Sequence, residues 1–169
     1  MKSLLKSELD ALLTVAEKHD PLFALVILVT FNHGLRISET LGLTKDNIVN
    51  GFLVIQRLKG SKKTTQPLLS NERQALEELA AKTVGVLFPI CRMTAWRRIQ
   101  RLGRQANIPA FKLFPHALKH TTGRLGYEGG MGIPELQAYL GHQNGKNTLI
   151  YMEATEQQAA NAFAAAVGK

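Results

Sequence analysis

The segment Pro21–Asn32, Pro-Leu-Phe-Ala-Leu-Val-Ile-Leu-Val-Thr-Phe-Asn, constrains this chain more than any other. Asp20-Pro21 supplies an N-cap and a first-turn proline, which predicts a helix over Leu22–Asn32. Its nearly unbroken apolarity leaves no face for water, so the rest of the chain is expected to pack around it. Leu22–Phe31 is too short to span a bilayer, and no signal peptide precedes it, so the expectation is a soluble, cytoplasmic domain. At 169 residues and 45% hydrophobic, the chain matches one ordinary domain and is long enough to bury a real core.

Around that helix the chain reads as mostly helical with a small β insert. Ser7-Glu8-Leu9-Asp10 is a capping-box pattern ahead of Leu9, Leu12, Leu13 and Ala16, predicting a first helix. Gly34 is the expected C-cap of the apolar helix, and a short helix should run from Ser38 to about Leu43 with Glu39 in its first turn. Asn50-Gly51 signals a turn and Phe52–Arg57 alternates as a strand. Lys59-Gly60-Ser61-Lys62 then connects to a second strand near Thr64–Leu69. Further helices are expected over Asn71–Lys82, Thr94–Ala106, Pro115 to Gly129-Gly130, Pro134–Leu140, Lys146–Glu153 and Glu156–Val167. The fold class is therefore mainly α with a small antiparallel β-sheet, in one domain without an internal repeat.

Charge narrows the partner. Lys and Arg number 21 against 13 Asp and Glu, a formal charge of +8, which favours a polyanion. Arg97, Arg101 and Arg104 fall within a narrow arc of the helix Thr94–Ala106, with Trp96, Ile99, Leu102 and Ala106 on the other side. That pattern suits a helix lying on the core and facing phosphates; a solvated helix face is the plain alternative. Lys59, Lys62 and Lys63 cluster at the hairpin tip, to reach into a groove or merely for solubility. The single cysteine, Cys91, excludes an internal disulfide. No Cys/His spacing suggests zinc and no carboxylate cluster suggests another ion, so no metal and no cofactor are expected.

The segments that carry chemistry are His33-Gly34-Leu35-Arg36-Ile37-Ser38-Glu39-Thr40-Leu41-Gly42-Leu43, His116-Ala117-Leu118-Lys119-His120, Leu140-Gly141-His142 and, nine residues beyond His142, Tyr151. In this order they resemble the conserved boxes of the tyrosine recombinase (phage integrase) family. The first box is an arginine after Gly-Leu with Ser-Glu following, the second His-x-Leu-x-His-Thr, and the third Leu-Gly-His before a tyrosine. The hairpin Arg57-Leu58-Lys59-Gly60 through Pro67-Leu68 sits where the family carries a catalytic lysine. The resemblance covers essentially the whole chain.

It implies the integrase catalytic-domain fold and metal-free cleavage and rejoining of DNA through a 3′-phosphotyrosyl intermediate. Arg36 would clamp the phosphate by two parallel hydrogen bonds. Lys59 would protonate the departing 5′ oxygen, with Lys62 or Lys63 in its place if the hairpin register differs. His116 would accept or relay the proton of Tyr151, the nucleophile, whose ordinary pKa of about 10 calls for help. His142 would donate a hydrogen bond to the phosphate, and Glu39 would support Arg36 rather than touch DNA. Lys62, Lys63, Arg97, Arg101 and Arg104 would bind the DNA backbone. Tyr139, Tyr127, His19, His33 and His120 are expected to be structural.

One departure matters. Where the family's second box usually has arginine this chain has Lys119, which keeps the charge but loses the planar fork. Lys119 is expected to act as the second phosphate cation with a weaker hold; the alternative is a slow or degenerate domain. Residues 1–169 are expected to form a single catalytic domain lacking the family's N-terminal core-binding domain. Over 155–169 a helical tail is expected, which docks on a neighbouring subunit or packs in cis. The implied partners are double-stranded DNA and, on it, further protomers in a tetrameric synapse, from a chain that is monomeric without DNA and meets no membrane. Two readings compete: a DNA-binding module of the same fold without turnover, and a relaxing enzyme of the type IB topoisomerase kind.

Overall fold

The structure, a computed structural model, describes residues 2–57, 62–151, 164, 165 and 167. Lys59 and most of the expected tail over 155–169 lie outside the described residues; positions 164, 165 and 167 of that tail are helical.

Helix α1 (Lys6–His19) starts before the expected cap, so Ser7 lies inside it. Glu8 accepts the N–H of Leu5, the cap position, at 2.7 Å, so the carboxylate half of a capping box forms without a hydroxyl half. Helix α2 (Pro21–Asn32) begins as its cap predicts, with Asp20 accepting the Phe23 N–H. Phe23, Val26, Ile27 and Val29 are buried along it, and α1, α3 (Ile37–Leu41) and α6 (Pro115–Glu128) pack against it.

The sheet has three antiparallel strands rather than two: β1 (Ile48–Val49), β2 (Phe52–Ile55) and β3 (Thr64–Pro67), in that order. β1 is too short for alternation to reveal. Asn50 and Gly51 both take positive φ, as a type I′ hairpin requires, and Val49 pairs with Phe52. β2 ends at Ile55, short of the expected Arg57, which leaves the ladder and is buried.

Helices α4 (Arg73–Lys82) and α5 (Arg92–Gln105) follow. The buried face of α5 is Ala95, Ile99, Leu102 and Gly103. Trp96, expected on the apolar side, is instead 44% exposed. It stands about 60° around the helix from Ile99, enough to leave the core. A Cβ at Gly103 would lie 2.1 Å from Leu113 Cδ2, so glycine lets the Leu113 side chain rest directly on α5. Helices α7 (Ile133–Leu140) and α8 (Lys146–Leu149) come next, α8 ending at Leu149 where the sequence predicts a helix to Glu153. Leu136, Leu140 and Tyr151, with Tyr127 and Met131 against them, form a small cluster beside the main core. Among the described residues no helix is long and apolar enough to cross a membrane.

Candidate active site

The end of α2 builds the first part of the site. Gly34 turns the chain at φ +57, and a Cβ there would lie 2.5 Å from Leu140 Cδ2, so glycine serves both the turn and the approach of α7. Arg36 then caps α3. Glu39 accepts from the Arg36 backbone N–H at 2.7 Å and from its Nη1 at 2.9 Å. The arginine side chain stays about one-third exposed while the carboxylate is buried.

Behind this turn the C-terminal ends of α2 and α7 face each other, and two buried cations lie between them. Lys119, 2% exposed, donates to the carbonyls of Gly34 (2.7 Å) and Leu140 (2.9 Å). Arg57 donates to the carbonyls of His33 (2.9 Å), Gly34 (3.0 Å) and Tyr139 (3.1 Å). Unsatisfied carbonyls give a helix C-terminus partial negative charge, and two such ends together make a seat for cations. Burial pushes the Lys119 ammonium down to about 7, with the Arg57 and Arg36 charges acting the same way and Glu39 opposing. Burial also lowers Arg57, against the pull of Glu39.

The two motif histidines flank this seat. Gly141, in the left-handed conformation, ends α7 and delivers His142, whose Nδ1 lies 2.9 Å from Thr148 Oγ1. His116, in the first turn of α6, reaches the surface at the rim. Desolvation, foremost, and the Lys119 and Arg36 charges hold both imidazoles down at about 4, so both are neutral at pH 7. His116 also meets His120 edge to face, centroids 4.6 Å apart.

Tyr151 is 5% exposed. Its ring lies on Gly123 of α6, where a Cβ would be 2.3 Å from Cζ, and its hydroxyl is 3.3 Å from His120 Nδ1. Burial raises the phenol to about 12. His120, read from the sequence as structural, is thus the described contact between the tyrosine and the histidine cluster. Tyr139 donates its hydroxyl to the Asn32 carbonyl at 2.6 Å, and Tyr127 packs in the Tyr151 cluster.

An open groove of about 790 Å³ fronts the site, bordered by Arg36, Ser38, Arg92, Trp96, Phe114 and His116. The exposed arginines Arg97, Arg101 and Arg104 are not among its walls. Arg97 and Arg101 border a second depression with Asp20, Arg101 standing 3.9 Å from that carboxylate. Lys62 and Lys63 are exposed, and the Lys62 N–H donates to the Gly141 carbonyl. The sequence assigns no site role to Arg57 or Arg92, and it reads His120 as structural and Trp96 as apolar packing. For Arg92 and Trp96 the i, i+4 spacing at the start of an amphipathic helix was an available signal. His120 stands in the second motif, one helical turn from His116, but its contact with Tyr151 and those of Arg57 with His33, Gly34 and Tyr139 join residues remote in sequence.

Residues 2–158 match the model of the phage integrase family. The chain is 32% identical over 171 residues to tyrosine recombinase XerA of Pyrococcus furiosus, spanning 91% of this chain and 58% of that protein. It is also 32% identical over 142 residues to the type 1 fimbriae regulatory protein FimE of Escherichia coli, spanning 75% of this chain and 71% of FimE. The solved structure of XerH site-specific recombinase bound to difH substrate superposes with a TM-score of 0.81 at 21% identity, covering 97% of this chain and 54% of that one. That likeness shows the fold. The chain belongs to the phage integrase family, the tyrosine recombinases, and its mainly α architecture with a small antiparallel sheet is that family's catalytic-domain fold.

Proposed function

We propose that this chain is the catalytic part of a site-specific recombinase that cleaves and rejoins double-stranded DNA through a 3′-phosphotyrosyl link. One observation carries the reading. Arg36, His116 with Lys119, and His142, from three separate segments, lie within electrostatic reach of one another, and Tyr151 joins them through His120.

In the proposed step Tyr151 Oη attacks phosphorus in line. The Oη–P bond forms as the P–O5′ bond breaks, so the bond is stored and rejoining reverses the step. Neutral His116 takes the phenol proton, directly or through His120, and Lys59 gives a proton to the leaving 5′ oxygen, with Lys62 or Lys63 as substitutes. Arg36 and His142 hold the non-bridging oxygens, where charge builds, and Lys119 adds its charge from beneath. A phenol this buried has to leave its seat to meet a phosphate. Arg92 and Trp96 on the groove wall track the DNA together with Lys62, Lys63, Arg97, Arg101 and Arg104. Strand exchange then joins four protomers on two sites.

The test is covalent trapping on a pool of nicked duplexes with randomised flanks, resolved on a denaturing gel. An adduct is expected with the wild-type chain and none with Tyr151→Phe; an adduct that survives the substitution reassigns the nucleophile. Binding without any adduct turns the reading to a DNA-binding module without turnover, which the engagement of Lys119 by two main-chain carbonyls favours.

A further inference from the structure

We infer that Arg57 is a positioning residue for this chemistry: it fixes the turn that carries Arg36 against the turn that carries His142. The inference rests on the proposed function and adds a residue to it.

The side chain of Arg57 is wholly buried, an environment that disfavours a guanidinium unless its donors are satisfied. Here they are. Nε donates to Thr64 Oγ1 (3.0 Å), Nη1 to the Gly34 carbonyl (3.0 Å) and to Glu39 Oε2 (3.3 Å), and Nη2 to the carbonyls of His33 (2.9 Å) and Tyr139 (3.1 Å). These contacts account for all five N–H bonds of the group. An apolar side chain would fill a core position at smaller desolvation cost, so the choice of acceptors is the informative part.

Each acceptor bears on the site. Gly34 and His33 form the turn that delivers Arg36. Glu39 Oε2 also accepts the Arg36 backbone N–H, and its other oxygen accepts Arg36 Nη1, so the carboxylate that orients Arg36 is itself held by Arg57. Tyr139 lies in the last turn of α7, directly before the Leu140-Gly141-His142 bend, and Gln66 Nε2 reinforces the same carbonyl at 2.7 Å. Thr64 opens β3, so the base of the hairpin is tied to the same guanidinium. Lys119 also links the two turns, through the same Gly34 carbonyl and that of Leu140, but the planar fork of Arg57 sets the angle between them.

The experiment measures how strongly the site holds one phosphate. A duplex captured by covalent trapping is made with the scissile phosphate intact or replaced by an uncharged methylphosphonate. Affinity for both is measured in the Tyr151→Phe chain, which cannot cleave. Arg36 and His142 respond to the charge, so the intact phosphate should bind about tenfold or more tightly, the range of one or two charge-assisted hydrogen bonds. Adding Arg57→Gln should collapse that ratio to within about twofold of unity while affinity for the methylphosphonate duplex persists. Arg57→Lys, keeping charge without the fork, should lose most of the ratio too. A ratio unchanged in Arg57→Gln overturns the inference, and so does an equal loss on both duplexes, which marks general structural damage. If Arg57→Gln does not fold, Thr64→Val removes only the Nε acceptor, and an unchanged ratio there is equally fatal. No captured duplex, or a parent ratio near one, overturns the functional reading itself and this inference with it.

Discussion

Gly123 and Tyr151 make a seat whose energetics can be worked from the structure. A Cβ at position 123 would stand 2.3 Å from Tyr151 Cζ and 2.6 Å from both Cε atoms. Carbon atoms in contact prefer about 3.5–4.0 Å, so in Gly123→Ala the ring has to retreat by more than about 1 Å. Burial of an aromatic side chain stabilises by about 2–3 kcal/mol. The phenol tells the same story: a rise from the ordinary 10.0 to about 12 is worth about 2.7 kcal/mol between its two protonation states. Against this, alanine in a helix interior gains about 0.5–1 kcal/mol over glycine. Because Tyr151 belongs to the small cluster rather than the main core, the loss should be local, with the thermal midpoint moving little. The assay is phenolate absorbance against pH, with Tyr151→Phe subtracted to isolate one of the three tyrosines. The folded pKa is raised, so the seat's stabilisation is fully present below pH 10 and is lost as pH rises through about 12. In Gly123→Ala the Tyr151 titration should fall from about 12 toward 10. A titration still at about 12 would refute the account of the seat.

Other perturbations test the rest of the site. His142 is buried with its pKa near 4 against an ordinary 6.5. Its neutral form therefore contributes about 3 kcal/mol that is complete above pH 6.5 and drains away as pH falls toward 4. His142→Gln should flatten the acid limb of a urea-midpoint profile; an unaltered limb would count against the burial argument. For Lys119, held near 7 against an ordinary 10.5, the folded state binds fewer protons across that window, so stability should climb by about 2 kcal/mol between pH 7 and 9. In Lys119→Met that climb should vanish, and a wild-type-like slope would refute the buried-ammonium picture. If Arg92 meets a phosphate in the groove, Arg92→Gln should lower the slope of log K against log salt by about 0.9; an unchanged slope removes Arg92 from the DNA contacts.

Much of the fold was legible because its signals are local. The Asp20 cap, Pro21 and the apolar run after them specify α2, Asn50-Gly51 specifies the first hairpin turn, and Pro115 opens α6. Each depends on residues within a turn of one another, which is the range over which capping and periodicity act. Where local signals are thin, tertiary contacts decide. β1 has two residues, too few to alternate, and Trp96 lies at the margin of its helix's apolar arc, where a small rotation separates core from solvent. The motif order in the chain identified the family, since Arg36, His116, His142 and Tyr151 stand in fixed succession whatever surrounds them.

What those residues do to one another was decided by tertiary structure. An arginine in a hairpin reads as solvated, yet Arg57 is drawn inside because the C-termini of α2 and α7 meet there with their carbonyls unpaired. The same meeting buries Lys119, whose position in the second motif says only that a charge is present. His120 and Gly123 acquire their relation to Tyr151 only when the segment after α7 brings Tyr151 back onto α6. The sequence by itself determined most of the elements and the family, through caps, periods and motif order. Burial, proton affinity and hydrogen-bond partners were left to the tertiary structure, because the electrostatic field at a side chain is summed over groups near in space, and these lie as much as about a hundred residues apart along the chain.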